Sequence, residues 1–446
     1  MNSRFVFLCC SIYFGLSLVY GSSECAKVLA DELLGSNPLP SCHAKSTYLL
    51  DKPLVILGCN GGGIKGYISA RVLEELEKAV GSAEKPFPIY QMIHGSVGSS
   101  TGTIISAAIT VDPKYWSSQT PSILNSNPSI PNMLVQFYLK EGPYIFSNVS
   151  PSSCLYGLQN SCIGGLCMQL KNIFKPKYNG KHLREVFNKY FGDLSLVETR
   201  KISASCSSCE KHPDDKIELA MLTCDMHTGS SFEFNSKKAS KGEASNFFLR
   251  DAVYASCVQS TTFPTARINP IVGNKEYDKT RAFNLIDQGP LDNPVFKALE
   301  MGLRQLEERG ISPMKYFHDH YSDYQAGKSV KPLLRIVHIS TGHHTTRLLP
   351  VSQFHNAGIL KLVPTLITTL LENQGVYASE AVQFFAKMLP FIEFYKLEGE
   401  TSVSALEDDK ANDEIFRELE RVANDITTGN KDFIRLAKDL RDDCKM

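Results

Sequence analysis

The stretch that decides the fold runs from Leu54 to Gly66 and reads LVILGCNGGGIKG. Its first residues are wholly apolar and are bounded by proline and glycine, which is typical of a strand buried on both faces. The spacing of apolar residues after it predicts a helix with one buried face, formed by Ile68, Val72, Leu76 and Val80. The glycines Gly61, Gly62 and Gly63 therefore lie at a turn from a strand to a helix.

The alternation of apolar runs and helical patterns continues along the chain. Further strands are predicted at Glu218–Cys224, Arg281–Ile286 and Leu333–Ile339. Near the C-terminus, an apolar stripe predicts a helix, with Gly429 as its C-terminal cap. We interpret the stripe as core packing, and its residues are Ile415, Leu419, Val422 and Ile426. Strands that alternate with helices indicate an α/β fold with a mainly parallel sheet.

The composition excludes several classes of protein. The chain has 446 residues, 43% of them hydrophobic, and its 47 basic residues balance 47 acidic ones. This apolar content is sufficient for a large core, so intrinsic disorder and a disulfide-dense miniprotein are excluded. The lack of clustered lysine and arginine argues against a nucleic-acid partner, because such clusters neutralise phosphates. A folded enzyme or binding protein remains.

The first 21 residues have the pattern of a secretory signal peptide. Arg4 supplies a positive charge, Phe5–Tyr20 is uncharged and apolar, and small residues follow. An uncleaved membrane anchor is the alternative, since a span needs roughly 20 apolar residues. We expect residues 22–52 to form an N-terminal extension, and the protein to be secreted, extracellular or exported into a periplasmic or vacuolar compartment. Asn148 opens a sequon and is the candidate glycosylation site.

The chain contains 13 cysteines, of which two lie in the signal segment. In an oxidising compartment we expect some of the others to form disulfides, and the candidates are Cys154, Cys162, Cys167, Cys206 and Cys209. No second pair with zinc-ligand spacing accompanies Cys206 and Cys209, so no metal site is predicted. The odd number of remaining cysteines predicts at least one free thiol, and Cys59 is the candidate because it lies in an apolar strand.

The glycine turn is the first of three motifs that indicate chemistry. Glycine permits backbone conformations that turn N–H groups outward, and such groups at a helix N-terminus attract negative charge. A phosphate-binding loop is excluded, because Gly-Lys-Ser/Thr does not follow at the required spacing. A dinucleotide site is disfavoured, because the nearest acidic residue at the required distance, Glu77, lies within the predicted helix. An oxyanion site remains.

The second motif, Gly98-Ser99-Ser100-Thr101-Gly102, is a Gly-x-Ser-x-Gly sequence. The residues before it, 91–97, are predicted to form a strand, and a helix begins after it. This context matches a nucleophile elbow, in which small neighbours allow a strained turn that projects the serine. An ordinary turn is the alternative interpretation of the pentapeptide.

The third motif is Asp287-Gln288-Gly289-Pro290, which follows a predicted strand. Open α/β sheets place functional groups at the carboxyl ends of their strands, and Asp287 is predicted to lie at such an end. Taken alone, this aspartate is more typical of a residue that caps the backbone of a turn.

Together, in this order, the three motifs resemble those of the patatin-like lipid acyl hydrolases. Further segments resemble that family, namely 137–146, Tyr178–Leu183, Ala255–Pro264, Ser340–Gly342 and 394–409. The resemblance covers about Pro53 to Leu440. It implies a three-layer α/β/α fold with C-terminal helices, formed by one catalytic domain at residues 53–442 with a cysteine-containing insertion at about 149–173.

The resemblance also implies the roles of individual residues. Ser100 is the expected nucleophile, and Asp287 the base that takes its proton. Gly61, Gly62 and Gly63 are expected to donate N–H groups to the oxyanion, with Lys65 adding positive charge. The implied route through an acyl-enzyme needs no metal or other cofactor.

The chain departs from the family pattern at two positions. Asn60 replaces the usual aspartate before the glycines, with little expected effect because the N–H groups do the binding. Gln288 replaces a glycine after Asp287, and we expect its side chain to narrow the site. A Ser-His-Asp triad is the alternative mechanism, and its candidate histidines are His94, His338, His343 and His344.

The function that the resemblance implies is a secreted phospholipase A-type hydrolase of fatty-acyl esters of glycerolipids in membranes or micelles. Three apolar segments are candidates for peripheral contact with lipid, namely Tyr156–Leu158, Ile163–Met168 and Gly358–Leu371. Burial in the core is the alternative for each of them, and it is the favoured interpretation of the third. Two alternatives remain open. One is a storage or lipid-binding protein with the same fold, and the other is a secreted effector phospholipase that needs a host activator.

Overall fold

A mixed sheet of eight strands forms the middle layer of the protein, as seen in a computed structural model. The structure describes residues 50–112, 129–147, 176–201, 216–259, 262–273, 275–287, 293–344, 376–403 and 409–444. The strands are β1 (Leu54–Cys59), β2 (Gly95–Ser99), β3 (Glu218–Asp225), β4 (Ser230–Asn235), β5 (Ala266–Ile268), β6 (Ile271–Val272), β7 (Glu276–Tyr277), β8 (Phe283–Asp287), β9 (Leu334–Ile339), β10 (His343–His344), β11 (Ile392–Leu397) and β12 (Glu400–Thr401).

Helices cover both faces of the sheet. They are α1 (Gly66–Val80), α2 (Thr101–Thr110), α3 (Ile130–Ile145), α4 (Lys181–Phe191), α5 (Ser236–Ser240), α6 (Leu249–Cys257), α7 (Pro294–Glu308), α8 (Pro313–Gln325), α9 (376–388), α10 (Asp413–Gly429) and α11 (Lys431–Cys444). One apolar layer joins β1 and the sheet to α1, α2, α3 and α10, and the other joins the opposite face to α7, α8 and α9. The predicted three-layer α/β/α architecture is confirmed.

The strand order of the main sheet is β11-β9-β1-β2-β3-β8-β5, with β4 paired to β3. The first five strands are mutually parallel, whereas β4 and β8 run antiparallel to β3, and β5 antiparallel to β8. The mainly parallel sheet predicted from the sequence is therefore confirmed. The strand predicted at residues 91–97 was placed too early, because Ile89–Gln91 forms a short 3-10 turn and β2 begins at Gly95.

The C-terminal apolar stripe belongs to the core, as predicted. Leu419, Val422 and Ile426 are fully buried, and the half-buried Ile415 packs against the same layer. The predicted glycine cap was wrong by one residue. Gly429 is the last helical residue, and Asn430 caps the helix with an extended backbone.

Two glycines allow α2 to pack directly on β1 and β2. A Cβ on Gly102 would overlap the backbone carbonyl of Cys59 in β1, and a Cβ on Gly98 would overlap the carbonyl of Gly102. Hydrogen at these positions lets the helix and both strands approach to backbone contact. The end of β2 and the end of β1 are consequently held together.

Within the part of the chain that the structure describes, no helix has the length and hydrophobicity needed to cross a bilayer. Residues 1–49 and 149–173 lie outside the described residues. The boundaries of the predicted signal peptide, extension, catalytic domain and insertion therefore stay predictions.

We expect Gly102→Ala to lower the free energy of unfolding by about 1–3 kcal/mol, which is typical of overpacking, because its methyl group would displace β1. Gly429→Ala is the matched control, since a Cβ there meets open space. Chemical denaturation of both variants tests this prediction. A Gly102→Ala variant as stable as the wild type would contradict the close packing of α2 on β1.

Candidate active site

Ser100 occupies a strained turn between β2 and α2. Its backbone angles are φ 50° and ψ −127°, and among the described residues Lys275 is the only other non-glycine residue with a positive φ. Such a conformation costs free energy and persists only where the surrounding structure enforces it. The strand–turn–helix context predicted for a nucleophile elbow is present.

The glycine turn lies directly against this serine. A Cβ on Gly61 would lie 2.8 Å from the Cβ of Ser100. Gly62 and Gly63 have positive φ values of 152° and 53°, which side-chain-bearing residues rarely adopt. Among the described residues, no backbone or side-chain acceptor takes a hydrogen bond from the N–H groups of these three glycines. The turn can therefore offer donors to a bound anion beside Ser100.

Two residues hold the glycine turn in place. The hydroxyl of Thr341 donates a hydrogen bond of 2.6 Å to the carbonyl of Gly61. The Lys65 side chain is 5% exposed, and its Cε carbon would lie 3.1 Å from a Cβ on Gly62, so the side chain folds back along the turn. Lys65 thus lies beside the glycines, and its positive charge at the oxyanion stays a prediction, whereas the role of Thr341 was not predicted.

Asp287 reaches the same edge of the sheet from an antiparallel strand. Asp287 pairs with Thr223 of β3, and Ser99 pairs with the adjacent Leu222. Because β4 occupies the opposite edge of β3 along Ala220–Asp225, the ends of β2 and β8 meet on the same edge, and this brings Asp287 next to the turn at Ser100. Asp287 is 9% exposed, and its N–H donates to the carbonyl of Val258 at 3.0 Å.

Asp287 is the last residue of β8, as expected for a residue at the carboxyl end of a strand. Unlike β1 and β2, however, β8 runs antiparallel to β3. The residue still reaches the site because β3 continues past the level of Ser99 to Asp225, where it pairs with Leu285. Strand β8 therefore starts beyond the carboxyl end of β2 and runs back towards it, so that its last residue, Asp287, lies beside the elbow.

Cys257 connects the two predicted catalytic residues. Its thiol donates to the backbone carbonyl of Ser100, with 3.2 Å between sulfur and oxygen. Burial, and secondarily the negative charge of Asp287, raises the pKa of this thiol well above its ordinary value. Cys257 therefore stays protonated and acts as a hydrogen-bond donor beside both residues. Sequence reasoning missed it, although it lies in the quoted segment Ala255–Pro264.

A pocket opens beside Ser100 and is largely apolar. It contains about 570 Å³ of empty space, including its opening to solvent. Its walls come from α2, α3, α4 and the end of α6, and the apolar side chains include Ile64, Ile104, Phe137, Ile145, Phe146, Leu183 and Phe263. Four of the five segments that carried the family resemblance thus contribute to one cavity, namely 137–146, Tyr178–Leu183, Ala255–Pro264 and 394–409.

Two of the four candidate triad histidines, His94 and His338, lie away from Ser100. His94 precedes β2, so it is separated from Ser100 by the length of that strand, roughly 20 Å, and its Nδ1 accepts from the N–H of Val55. His338 bonds to Ser379 at 3.2 Å on the face of the sheet opposite α2. Nδ1 of His343 lies 3.8 Å from Glu398. The side chain of the fourth candidate, His344, is outside the described residues.

Some of the cysteine predictions can be compared with the structure. Cys59, Cys224 and Cys257 are free and buried, which confirms the prediction for Cys59. Burial raises the pKa of the Cys59 thiol to about 11. Cys444 is disulfide-bonded, whereas the predicted pairing of Cys154, Cys162, Cys167, Cys206 and Cys209 lies outside the described residues.

Two other predicted residues, Asn148 and Gln288, also lie outside the described part of the chain. Within the described part, no group of three or more His, Cys, Asp or Glu side chains is arranged to hold a metal ion. Of the residues predicted for the site, the structure brings together Ser100, the glycine turn, Lys65 and Asp287.

We expect Thr341→Val to slow covalent labelling of Ser100 by a fluorophosphonate probe about five- to tenfold, because the glycine turn loses one hydrogen bond that positions it. Thr103→Val is the matched control, since the buried Thr103 hydroxyl has no hydrogen-bond partner. Equal labelling rates for wild type and Thr341→Val would show that the threonine does not position the turn.

The buried histidines predict a loss of stability in acid. Burial lowers the pKa of His94 to about 3 and that of His338 to about 4. Below about pH 6.5 the unfolded chain binds protons at these residues and the folded chain does not, so the free energy of unfolding decreases from pH 6.5 towards pH 4. Their contribution is fully present above pH 6.5.

His94→Asn should flatten this pH dependence, because its amide oxygen can replace Nδ1 as the acceptor from Val55. The exposed His227→Asn is the control and should leave the slope unchanged. Urea denaturation at several pH values measures the effect. An unchanged slope in His94→Asn would contradict the assignment of a neutral, buried His94.

Comparison with known proteins identifies the relatives of this chain. No protein-family model matches it. Patatin group J-1 from Solanum tuberosum is 27% identical over 265 residues, which cover 58% of this chain and 56% of the relative, and patatin group D-3 from the same organism is 28% identical over 267 residues. The chain thus spans a little over half the length of the curated relatives it matches.

Among solved structures, the crystal structure of VipD from Legionella pneumophila is similar at 10% identity, covering 88% of this chain and 67% of that one. Its TM-score of 0.33 is too low to establish a shared fold. The sequence relationship, together with the order of the three motifs, is the stronger finding. The chain is a relative of the patatins.

Proposed function

We propose that this protein is a lipid acyl hydrolase that cleaves fatty-acyl esters of glycerolipids. The observation that carries the proposal is the strained Ser100 between a turn of free N–H donors and an apolar pocket. An acyl chain fits the chemistry of that pocket, and the ester carbonyl would then lie at the serine. The relationship to patatins supports the same class of reaction.

In the proposed mechanism, Ser100 Oγ attacks the ester carbonyl and its proton passes to the carboxylate of Asp287. The negative charge of the tetrahedral intermediate develops on the carbonyl oxygen, where the N–H groups of Gly61, Gly62 and Gly63 stabilise it. Collapse of the intermediate breaks the ester bond and returns the proton to the leaving alcohol. Water then cleaves the acyl-enzyme by the same steps, releasing a fatty acid.

Export of the chain is part of the same proposal. The pattern of residues 1–21 supports a signal peptide, and a secreted or exported hydrolase would meet membrane or micellar lipids outside the cytoplasm.

We expect release of fatty acid from mixed phospholipid vesicles in excess EDTA. Ser100→Ala and Asp287→Asn should each lower the rate at least about 1000-fold, as is typical when a nucleophile or its base is removed. Ser99→Ala is the matched control, since this adjacent serine lies in β2 and should be dispensable. Gas chromatography of the released acids measures the rates.

Three results would contradict the proposal. Activity that survives Ser100→Ala would identify a different nucleophile. Activity that disappears in EDTA and returns with calcium would require another mechanism. Absence of release by a folded wild-type protein would favour the lipid-binding alternative.

A further inference from the structure

Helix α9 has two apolar faces, and the core of the protein accounts for one of them. Val382 is fully buried in the apolar layer that α9 shares with α7 and α8. Phe385, Ala386 and Leu389 are half-buried against the same layer, and the ring of Phe385 meets that of Phe296 in α7 edge to face, with 6.4 Å between centroids. These residues hold the helix on the sheet.

The second apolar face of α9 is open to solvent. Tyr377 is 69% exposed, Phe384 45% and Met388 38%. Together with the half-buried Ala381, these residues are spaced by four, three and four positions, so that they form one row along the helix. We call Tyr377, Ala381, Phe384 and Met388 the outer row. Single exposed apolar residues are common in proteins, whereas a contiguous row of large ones is typical of a surface that another molecule covers.

Two opposite charges lie along one edge of the outer row. Glu380 and Lys387 are both exposed and are seven residues apart, which corresponds to two helical turns or roughly 10 Å. Because this spacing is close to a whole number of turns, both side chains lie on the same side of the row. Within the part of the chain that the structure describes, neither side chain forms an ion pair or a hydrogen bond. Both charges are therefore available to a partner.

The charged edge is complementary to itself. Consider a second copy of α9 that lies antiparallel along the outer row, related by a two-fold axis level with residues 383 and 384. Glu380 of each copy then faces Lys387 of the other, and the two Phe384 rings meet near the axis. A parallel arrangement would put the two charged edges on opposite sides of the contact, where the charges could not pair.

A membrane surface fits the outer row less well. Helices that bind an anionic bilayer carry lysine and arginine on the polar face beside their apolar residues. Within residues 376–388 the charged side chains are one glutamate and one lysine, so this helix has no net charge. A lipid surface would give Glu380 no partner, whereas a second copy of the chain does.

We propose that the outer row is the interface of a homodimer, in which the antiparallel α9 helices of two copies pair Glu380 with Lys387 twice. One pair of helices buries less area than the roughly 1,600 Å² of a standard complex, so we expect a dissociation constant in the micromolar range. Because α9 packs on the face of the sheet opposite α2 and the pocket, the dimer does not depend on the proposed hydrolase activity.

Sedimentation velocity of the full chain, from submicromolar to several hundred micromolar, measures the dissociation constant. Glu380→Lys and Lys387→Glu each replace two ion pairs by two like-charge contacts, so each should weaken the dimer at least about tenfold. The double variant, Glu380→Lys with Lys387→Glu, reverses both charges and should restore the wild-type constant. Lys85→Glu, in an exposed loop after α1, is the matched control for net charge and should have no effect.

Phe384→Asp tests the apolar centre of the interface. It places two carboxylates beside the two-fold axis in place of two rings, so the dimer should weaken about 100-fold, as is typical of a central anchor residue. Ile434→Asp is the matched control, because Ile434 is 56% exposed in α11, away from the outer row. Circular dichroism checks that both variants are folded.

Four outcomes would overturn the inference. A chain that stays monomeric at every concentration has no such interface. A dimer that Phe384→Asp leaves intact uses another surface. Single charge reversals that weaken the dimer without rescue by the double variant would contradict the antiparallel pairing. A monomer that floats with phosphatidylglycerol vesicles, and loses this binding in Phe384→Asp, would assign the outer row to a lipid surface instead.

Discussion

Close contact between two backbone turns is the constraint on which the site depends. The turn after β1 and the turn after β2 approach so closely that Gly61, Gly98 and Gly102 have no space for a Cβ. Parallel pairing of β1 with β2 sets the distance between these two turns, since Cys59 pairs with Gly98. The elbow and the oxyanion turn are therefore parts of one packed unit, held by the sheet and by α2.

This packing explains how Ser100 can keep an unfavourable conformation. Its positive φ has a cost, which is offset by the burial of β1, β2 and α2 in the core on both sides of the turn. Thr341 at the end of β9 and Cys257 at the end of α6 add hydrogen bonds to the two turns. Five elements thus fix donors and nucleophile before any substrate binds, which is the condition for efficient electrostatic stabilisation.

Local patterns were sufficient to predict much of this arrangement, but not all of it. The apolar run at Leu54–Leu57 and the glycines after it specify β1 and its turn, because each signal is contained in a few adjacent residues. The start of β2 was misplaced because Met92 and Ile93 are apolar and buried without belonging to the strand. The direction of β8 is set by its pairing with β3, which no local periodicity encodes. Cys257 is distant in sequence from Ser100, so only the fold reveals its proximity to the site.

The most direct test of the account is the mass of the acyl-enzyme. The protein would be mixed with a slowly hydrolysed ester, quenched in acid, digested and analysed by mass spectrometry. The account predicts that the acyl group is attached to Ser100, on the peptide that contains the elbow. An acyl group found on Cys257, or product formed with no adduct on Ser100, would contradict it.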